Sequence, residues 1–276
     1  MGYKAAMDVL NKYKVKPTSI DMIVFVSDTP EYNFPTNALI LNSMLGAKNA
    51  HIVYNMNCNC TGMLAALDDV SYIMKVKTGG RTSLIVGCFY TSSVVRFNDS
   101  VAYPYFGDGA SAVLLDKTES ENERDGILSS QYLTDSNFKD YIKLPACGHS
   151  NALLGKYHKY YRRLEWLPFD SSCFSVHLVS MINSIFNEYN ISDNDIAYYS
   201  FSQFSNAENV KALKKLGVES TDKYLFNGTE YGYTGCYSPI IALNEVWDKA
   251  KEMKGKYILF VSVAAGLSFC VVLYKI

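Results

Sequence analysis

Cys60 stands in the segment Asn57-Cys58-Asn59-Cys60-Thr61-Gly62-Met63, where an apolar strand pattern gives way to a helical one. A cysteine at a helix start faces unpaired backbone N–H groups and the positive end of the helix dipole. Its thiol pKa should fall there, making a thiolate nucleophile available near neutral pH. The competing reading is a small buried Cys that fills space. In Tyr105-Phe106-Gly107-Asp108-Gly109-Ala110-Ser111-Ala112, two glycines bracket an acid ahead of a strand, which by itself describes a turn. A third candidate is Gly266, which follows Ala264-Ala265 inside an apolar run. Its N–H could serve as an oxyanion donor, although the same glycine suits an ordinary hairpin.

The four histidines offer little. His177 falls in a helical pattern and reads as a packed or surface side chain, because one His without partners seldom makes a site. His51 opens a strand, and His149 and His158 lie in an irregular stretch. Of the four, His149 is the candidate base if that stretch folds over a pocket. The run Lys156-Tyr157-His158-Lys159-Tyr160-Tyr161-Arg162-Arg163 has the composition of a nucleic-acid surface, but a single such run reads as a solvated face.

The elements that must hold these residues follow from hydrophobic periodicity. It predicts helices over 3–14, 36–45 and 60–76, with strands over 21–27, 51–56, 82–89 and 110–116. Past residue 170 the same order returns: helices over 172–189, 206–216 and 238–253, with strands over 195–201, 222–226, 256–264 and 267–275. The repeat is imperfect, since a further strand, 127–134, precedes the second copy and has no counterpart before the first. Residues 135–170 form an irregular connection suited to covering a site. Ser205-Asn206-Ala207-Glu208 is a capping box, Gly217 suits a left-handed helix end, and Ser238-Pro239 reads as an N-cap with proline at the first helical position. Helix 60–76 is apolar around most of its circumference and should lie between layers.

Composition sets the outer limits. The 276 residues carry 26 Lys and Arg against 27 Asp and Glu, a net charge of −1, and the 49% apolar fraction belongs to a globular protein. Disorder, collagen and a nucleic-acid coat are disfavoured. Seven Cys at irregular spacing, without a CxxC pair, read as reduced thiols and point to the cytoplasm, with no metal site. The N-terminal helix lacks a secretory apolar core, and Ala6 stands where myristoylation wants Ser or Thr. The uncharged run Tyr257–Tyr274 is long enough for a membrane span, but its β-branched content and the glycine turn favour two buried strands.

Taken together, these segments resemble the β-ketoacyl-ACP synthase III branch of the thiolase-like superfamily. The resemblance runs through Asp21–Ser27, Asn33-Phe34-Pro35-Thr36, Ser43-Met44-Leu45-Gly46, Cys60-Thr61-Gly62, Phe106–Ala112 and Leu213-Lys214-Lys215-Leu216-Gly217. It implies an α/β fold, the duplicated five-layered αβαβα core. The halves would be 1–134 and 171–276, joined by 135–170, with the first half lacking its opening strand as if the chain were truncated at its start. It implies Cys60 as the acyl-accepting nucleophile, Gly266 as an oxyanion donor, and a homodimer in which Phe34 reaches the partner's acyl pocket. The dimer is expected through the sheet edge near strand 82–89. No tightly bound cofactor is implied; the substrate is the phosphopantetheine thioester of coenzyme A or an acyl carrier protein.

Two positions depart from the family pattern. Ser202 stands where the family places a His, and Tyr233 stands where it places an Asn. Those side chains normally stabilise the malonyl-derived enolate, so loading of Cys60 should survive better than condensation. The expected function is therefore acyl transfer onto Cys60, followed by condensation with a malonyl thioester or transfer to another acceptor. The alternative is a catalytically reduced subunit that pairs with a full synthase. Neither nucleic acid nor membrane is an expected partner.

Overall fold

The computed structural model describes residues 1–76, 81–118 and 125–276. The first half runs α1 (Gly2–Tyr13), β1 (Met22–Val26), α2 (Asn37–Leu45), β2 (Ile52–Met56), α3 (Gly62–Val76), β3 (Thr82–Phe89), α4 (Ala102–Tyr105) and β4 (Gly109–Asp116). After β5 (Gly126–Thr134), the connection holds β6 (Ile142–Lys143), α5 (His149–Leu153) and β7 (Glu165–Trp166). The second half runs α6 (Cys173–Tyr189), β8 (Ile196–Phe201), α7 (Asn206–Lys215), β9 (Tyr224–Leu225), α8 (Gly228–Tyr231), α9 (Ser238–Asn244), α10 (Trp247–Ala250), β10 (Tyr257–Ala264) and β11 (Ser268–Lys275).

The larger sheets have matching orders, β2-β1-β3-β4 and β9-β8-β10-β11-β5. Alternation along β1 shows how they are layered. Met22, Val24 and Val26 join α3 and α9 in a core between the sheets, while Ile23 and Phe25 face the core under α1 and α2. In the second sheet Tyr198, Ile258, Phe260 and Val272 face the shared middle, and Tyr199, Phe201, Leu259 and Val261 pack under α6 and α7. Burial on both faces is why these strands are continuous apolar runs rather than alternating ones. Helix α3 packs against strands of both sheets, as its apolar circumference predicts. The expected layered core is the one observed.

Local signals hold with four corrections. The Ser205 hydroxyl accepts from the Glu208 amide, but the Glu208 carboxylate accepts from the Ser175 amide of α6 (3.2 Å) instead of closing the box. Ser238 is not an N-cap: the turn Gly235–Tyr237 starts the helix one residue early, so Tyr237 caps it and the buried Ser238 hydroxyl has no partner. Helix 238–253 divides into α9 and α10 where Glu245 turns its carboxylate onto Asn227 Nδ2 (2.7 Å). Strand 222–226 shrinks to two residues because a turn capped by Ser220 takes residues 221–223.

The run 257–274 forms the antiparallel hairpin β10–β11. Among the described residues, no helix is long and apolar enough to cross a membrane. All seven cysteines are free thiols. Strand β3 is paired on both sides, by β1 and β4, so 82–89 is no sheet edge and pairing between subunits cannot use it. Among the described residues, the open edges of that sheet are β2 and β4.

Candidate active site

Strand β2 ends at Met56, and the chain bends through Asn57–Thr61 before α3 begins at Gly62. The bend is held by Thr61 Oγ1, which donates to the Cys58 carbonyl (2.7 Å), and by the Gly62 amide, which donates to Asn59 (3.0 Å). A side chain on Gly62 would collide with Val26, so glycine lets the start of α3 approach the end of β1. From the other half, Ser262 Oγ donates to the Cys60 carbonyl (2.7 Å). The Cys60 thiol therefore lies at the C-terminal ends of parallel strands, where α/β folds gather their sites.

Its ionisation does not follow the expectation. Burial, with the charge of Asp28 adding to it, pushes the Cys60 thiol up to about 12. Hydrogen bonds from the Tyr233 hydroxyl, the Ala265 amide and its own amide act in the opposite direction without overcoming that cost. A helix start favours a thiolate, but desolvation of the anion is the larger effect here. Cys60 is a neutral thiol near pH 7.

Tyr233 reaches this sulfur because the two halves are stitched at its backbone. Its amide donates to the Tyr105 carbonyl (2.8 Å), and the Gly107 amide donates to the Tyr233 carbonyl (3.0 Å). A side chain on Gly107 would run into the Tyr231 carbonyl, which accounts for the first glycine of Gly-Asp-Gly. Ser202, at the exit of β8, donates from Oγ to the Tyr233 hydroxyl (3.4 Å), and both residues are buried. Cys60, Tyr233 and Ser202 thus form one connected group. The Tyr233 ring stacks on Phe106 (5.5 Å) and meets Tyr105 (5.6 Å) and Phe204 (5.7 Å). The connection adds Trp166, stacked on Phe204 at 5.4 Å, so it does lie over this cluster. Beside Gly266 lies a small cavity of about 10 Å³, lined by Phe138, Tyr141, Phe169, Phe204 and Ala265.

Family models for 3-oxoacyl-[acyl-carrier-protein (ACP)] synthase III match residues 54–136, and for its C-terminal part residues 186–276. The chain belongs to this synthase III family. It is 28% identical over 271 residues to the beta-ketoacyl-[acyl-carrier-protein] synthase III of Clostridium acetobutylicum, covering 98% of this chain and 81% of that one. Among solved structures, the 3-oxoacyl-[acyl-carrier-protein] synthase III of Aquifex aeolicus matches all of the chain and 83% of its own, with TM-score 0.82 and 22% identity. A priming beta-ketosynthase from a polyketide biosynthetic pathway matches with TM-score 0.84 and 20% identity, covering 100% and 80%. These neighbours share the thiolase-like fold, and membership of the synthase III family makes the chain a thioester-dependent acyltransferase.

Measured against the expectations for a synthase III, the structure brings Cys60, Ser202 and Tyr233 together. Gly266 lines the small cavity, but the amide bonded to the Cys60 sulfur belongs to Ala265, one residue earlier. Gly266 takes the turn of the hairpin with a φ of +127°, which glycine adopts most readily. Phe34 is 87% exposed on the loop after β1. Asp108 closes a polar turn: burial works to raise its pKa, but hydrogen bonds from Ser92 and Thr91 outweigh it and hold the carboxyl below its usual range.

No histidine enters the group. The His177 ring packs on Phe269, the His158 ring nitrogen accepts from the Tyr160 amide, and His51 opens β2 at the end opposite Cys60. His149 is exposed in the first turn of α5, which removes it as a substitute base. Two participants were missed from the sequence, Ala265 and Asp28. Asp28 follows the apolar run of β1 directly, and an acid at the C-terminal end of a buried parallel strand was the available signal.

Proposed function

We propose that this synthase III family member takes an acyl group from coenzyme A or an acyl carrier protein onto Cys60. The acyl group then condenses with a malonyl thioester or passes to another acceptor. The observation that carries this reading is that the Cys60 amide, the Ala265 amide and the Tyr233 hydroxyl all favour the anion of one half-buried thiol. When the sulfur attacks a thioester carbon, negative charge grows on the carbonyl oxygen beside it. Preorganised N–H donors stabilise such charge without reorganising. Ser202 and Tyr233 supply hydroxyl donors where the family has an imidazole and an amide, so the condensing step is the weaker one.

The chain needs no resident cofactor for this chemistry, since the pantetheine thioester brings the reactive carbonyl. Cytoplasmic location and a homodimer complete the proposal, with the open edge of β2 replacing the doubly paired β3 as the pairing strand. A second reading, a subunit that shapes the pocket of a full synthase, is favoured by one observation. Aromatic rings pack closely around Tyr233, and the cavity beside Gly266 measures only about 10 Å³.

Intact-mass measurement after incubation with acyl thioesters of increasing chain length separates the two. Acyl transfer predicts a mass gain of one acyl group, lost in Cys60→Ala. No gain with any thioester overturns it and leaves the partner-subunit reading.

A further inference from the structure

A thiol held neutral by burial cannot attack a thioester until something takes its proton. The group around Cys60 contains no imidazole, and Tyr233 is unavailable as a base because burial keeps its hydroxyl protonated. One carboxyl remains. Asp28 lies just past β1, between two anchors: the Ser27 amide donates to the Met56 carbonyl at the end of β2 (3.3 Å), and Thr29 Oγ1 accepts from the Tyr90 amide past β3 (2.9 Å). The segment is thereby fixed beside the Cys60 bend, with Gly62 seated on Val26 and the Cys236 sulfur 3.8 Å from the Val26 carbonyl.

Asp28 is only partly exposed, and among the described residues its carboxyl makes no hydrogen bond or ion pair. Its charge nevertheless registers on Cys60, Cys58 and Cys236. The neighbouring titratable groups are those thiols, with Tyr233 on the far side of Cys60, Asp69 of α3 acting on Cys58, and Asp108 acting on Cys88 of β3. Glu31, on the loop that carries Asp28, is exposed. No Lys, Arg or His among the described residues forms an ion pair with Asp28, and desolvation alone moves its pKa, up to about 7. An unpaired acid poised near working pH inside a site is the signature of a proton acceptor rather than of a structural ion pair.

We propose that Asp28 is the proton acceptor for Cys60, taking the place of the histidine that this chain lacks. The inference rests on Cys60 being the acylated thiol. The Cys60 proton passes to the Asp28 carboxylate, directly or through one water, as the sulfur electron pair forms a bond to the acyl carbon. The bond from that carbon to the pantetheine sulfur then breaks with its electron pair, and the departing thiolate takes the proton from Asp28. The carboxylate returns to its starting state. Protonating Asp28 also removes the negative charge that works against the Cys60 anion, so the transfer assists itself.

The test is the rate at which iodoacetamide alkylates Cys60, followed by peptide mass mapping from pH 5.5 to 9 in wild type, Asp28→Asn and Asp28→Glu. Single-turnover acylation is measured on the same preparations. Wild type should speed up about tenfold per pH unit and bend near pH 7 as Asp28 ionises. Asp28→Asn should lose the bend and fall at least about 100-fold in both reactions at pH 8, while Asp28→Glu keeps a bend.

If Asp28 merely repels the thiolate, Asp28→Asn alkylates faster than wild type above about pH 7, where the carboxyl is ionised, which overturns the proposal. A wild-type profile without a bend near pH 7 overturns it too, with no variant needed. Alkylation requires no acyl donor, so a normal bend with no acylation condemns the acyl-transfer reading alone. Folding is checked by melting temperature. A folded-state carboxyl raised above its unfolded value has its greatest relative stability below about pH 4 and loses it as pH rises through about 7. Asp28→Asn should therefore melt at or above the wild-type temperature at pH 8.

Discussion

The two halves share a strand order yet differ in what they finish and what they contribute. In the second, β5 pairs along the length of β11, whose central residues Phe269–Leu273 are buried. In the first, β4 holds the position of β11, but among the described residues no strand lies on its outer side, and no residue of β4 is fully buried. The chemistry is split as unevenly. The first half brings Cys60 and Asp28, the groups proposed to exchange a proton. The second brings the Ser202 and Tyr233 hydroxyls and the Ala265 amide, neutral donors suited to stabilising charge in the proposed reaction. Duplication fixes where strand ends meet, while the residues on those ends are free to diverge.

The sharpest way to break this division is to compare the two half-reactions. Acylation draws on both halves, whereas decarboxylation of a malonyl thioester depends on donors for the enolate, which the second half has altered. Losing one such donor typically slows a reaction by about 10²–10³. Decarboxylation should thus trail single-turnover acylation by at least about 100-fold on one preparation. The double change Ser202→His with Tyr233→Asn should narrow that gap. Comparable rates in the unaltered chain would show that the hydroxyl pair stands in fully for the family's side chains.

What the sequence reveals follows the same physical division. Strands β1, β3, β10 and β11 are legible because burial on both faces leaves an unbroken apolar record, and the repeat exposes the unmatched strand β5. The positions of Cys60, Ser202 and Tyr233 are legible through motif order, since each lies at a fixed distance from a recognisable glycine or helix end. Strand adjacency is not local information, so 82–89 passes for an edge although β1 and β4 enclose it. Nor is depth. Cys60 carries a helix-start signal, but its pKa is decided by how much protein covers it. Asp28 resembles any loop acid until the strand beneath it is seen to end beside the thiol.

The unequal edges give the next prediction. Leu273 of β11 and Leu114 of β4 hold matching places, each five residues past the hairpin pairs Ala264↔Ser268 and Phe89↔Gly109. Leu273 is fully buried, whereas Leu114 is only partly so. Leu273→Ala should cost about 2–5 kcal/mol in urea unfolding, the range for a filled core site. Leu114→Ala should fall below about 2 kcal/mol, because less apolar area leaves water there to begin with. Equal costs would mean that the β4 side is covered as completely as its counterpart.

The smallest expected effect probes the link between the halves. Tyr233→Phe keeps the ring that packs on Phe106 and Phe204 and deletes only the hydroxyl between the Cys60 sulfur and Ser202 Oγ. That hydroxyl favours the thiolate, so its loss should slow both alkylation and acylation about tenfold, the value of one hydrogen bond of roughly 1.4 kcal/mol. Ser202 Oγ is left buried with no acceptor, and stability should drop by about 1 kcal/mol as well. The two readouts separate two roles. A stability loss with an unchanged alkylation rate would make Tyr233 a packing residue whose hydroxyl only satisfies Ser202. A slower alkylation rate shows a neutral donor of the second half tuning the proposed nucleophile of the first. Because the ring is retained in both cases, a change in the aromatic packing cannot account for either result.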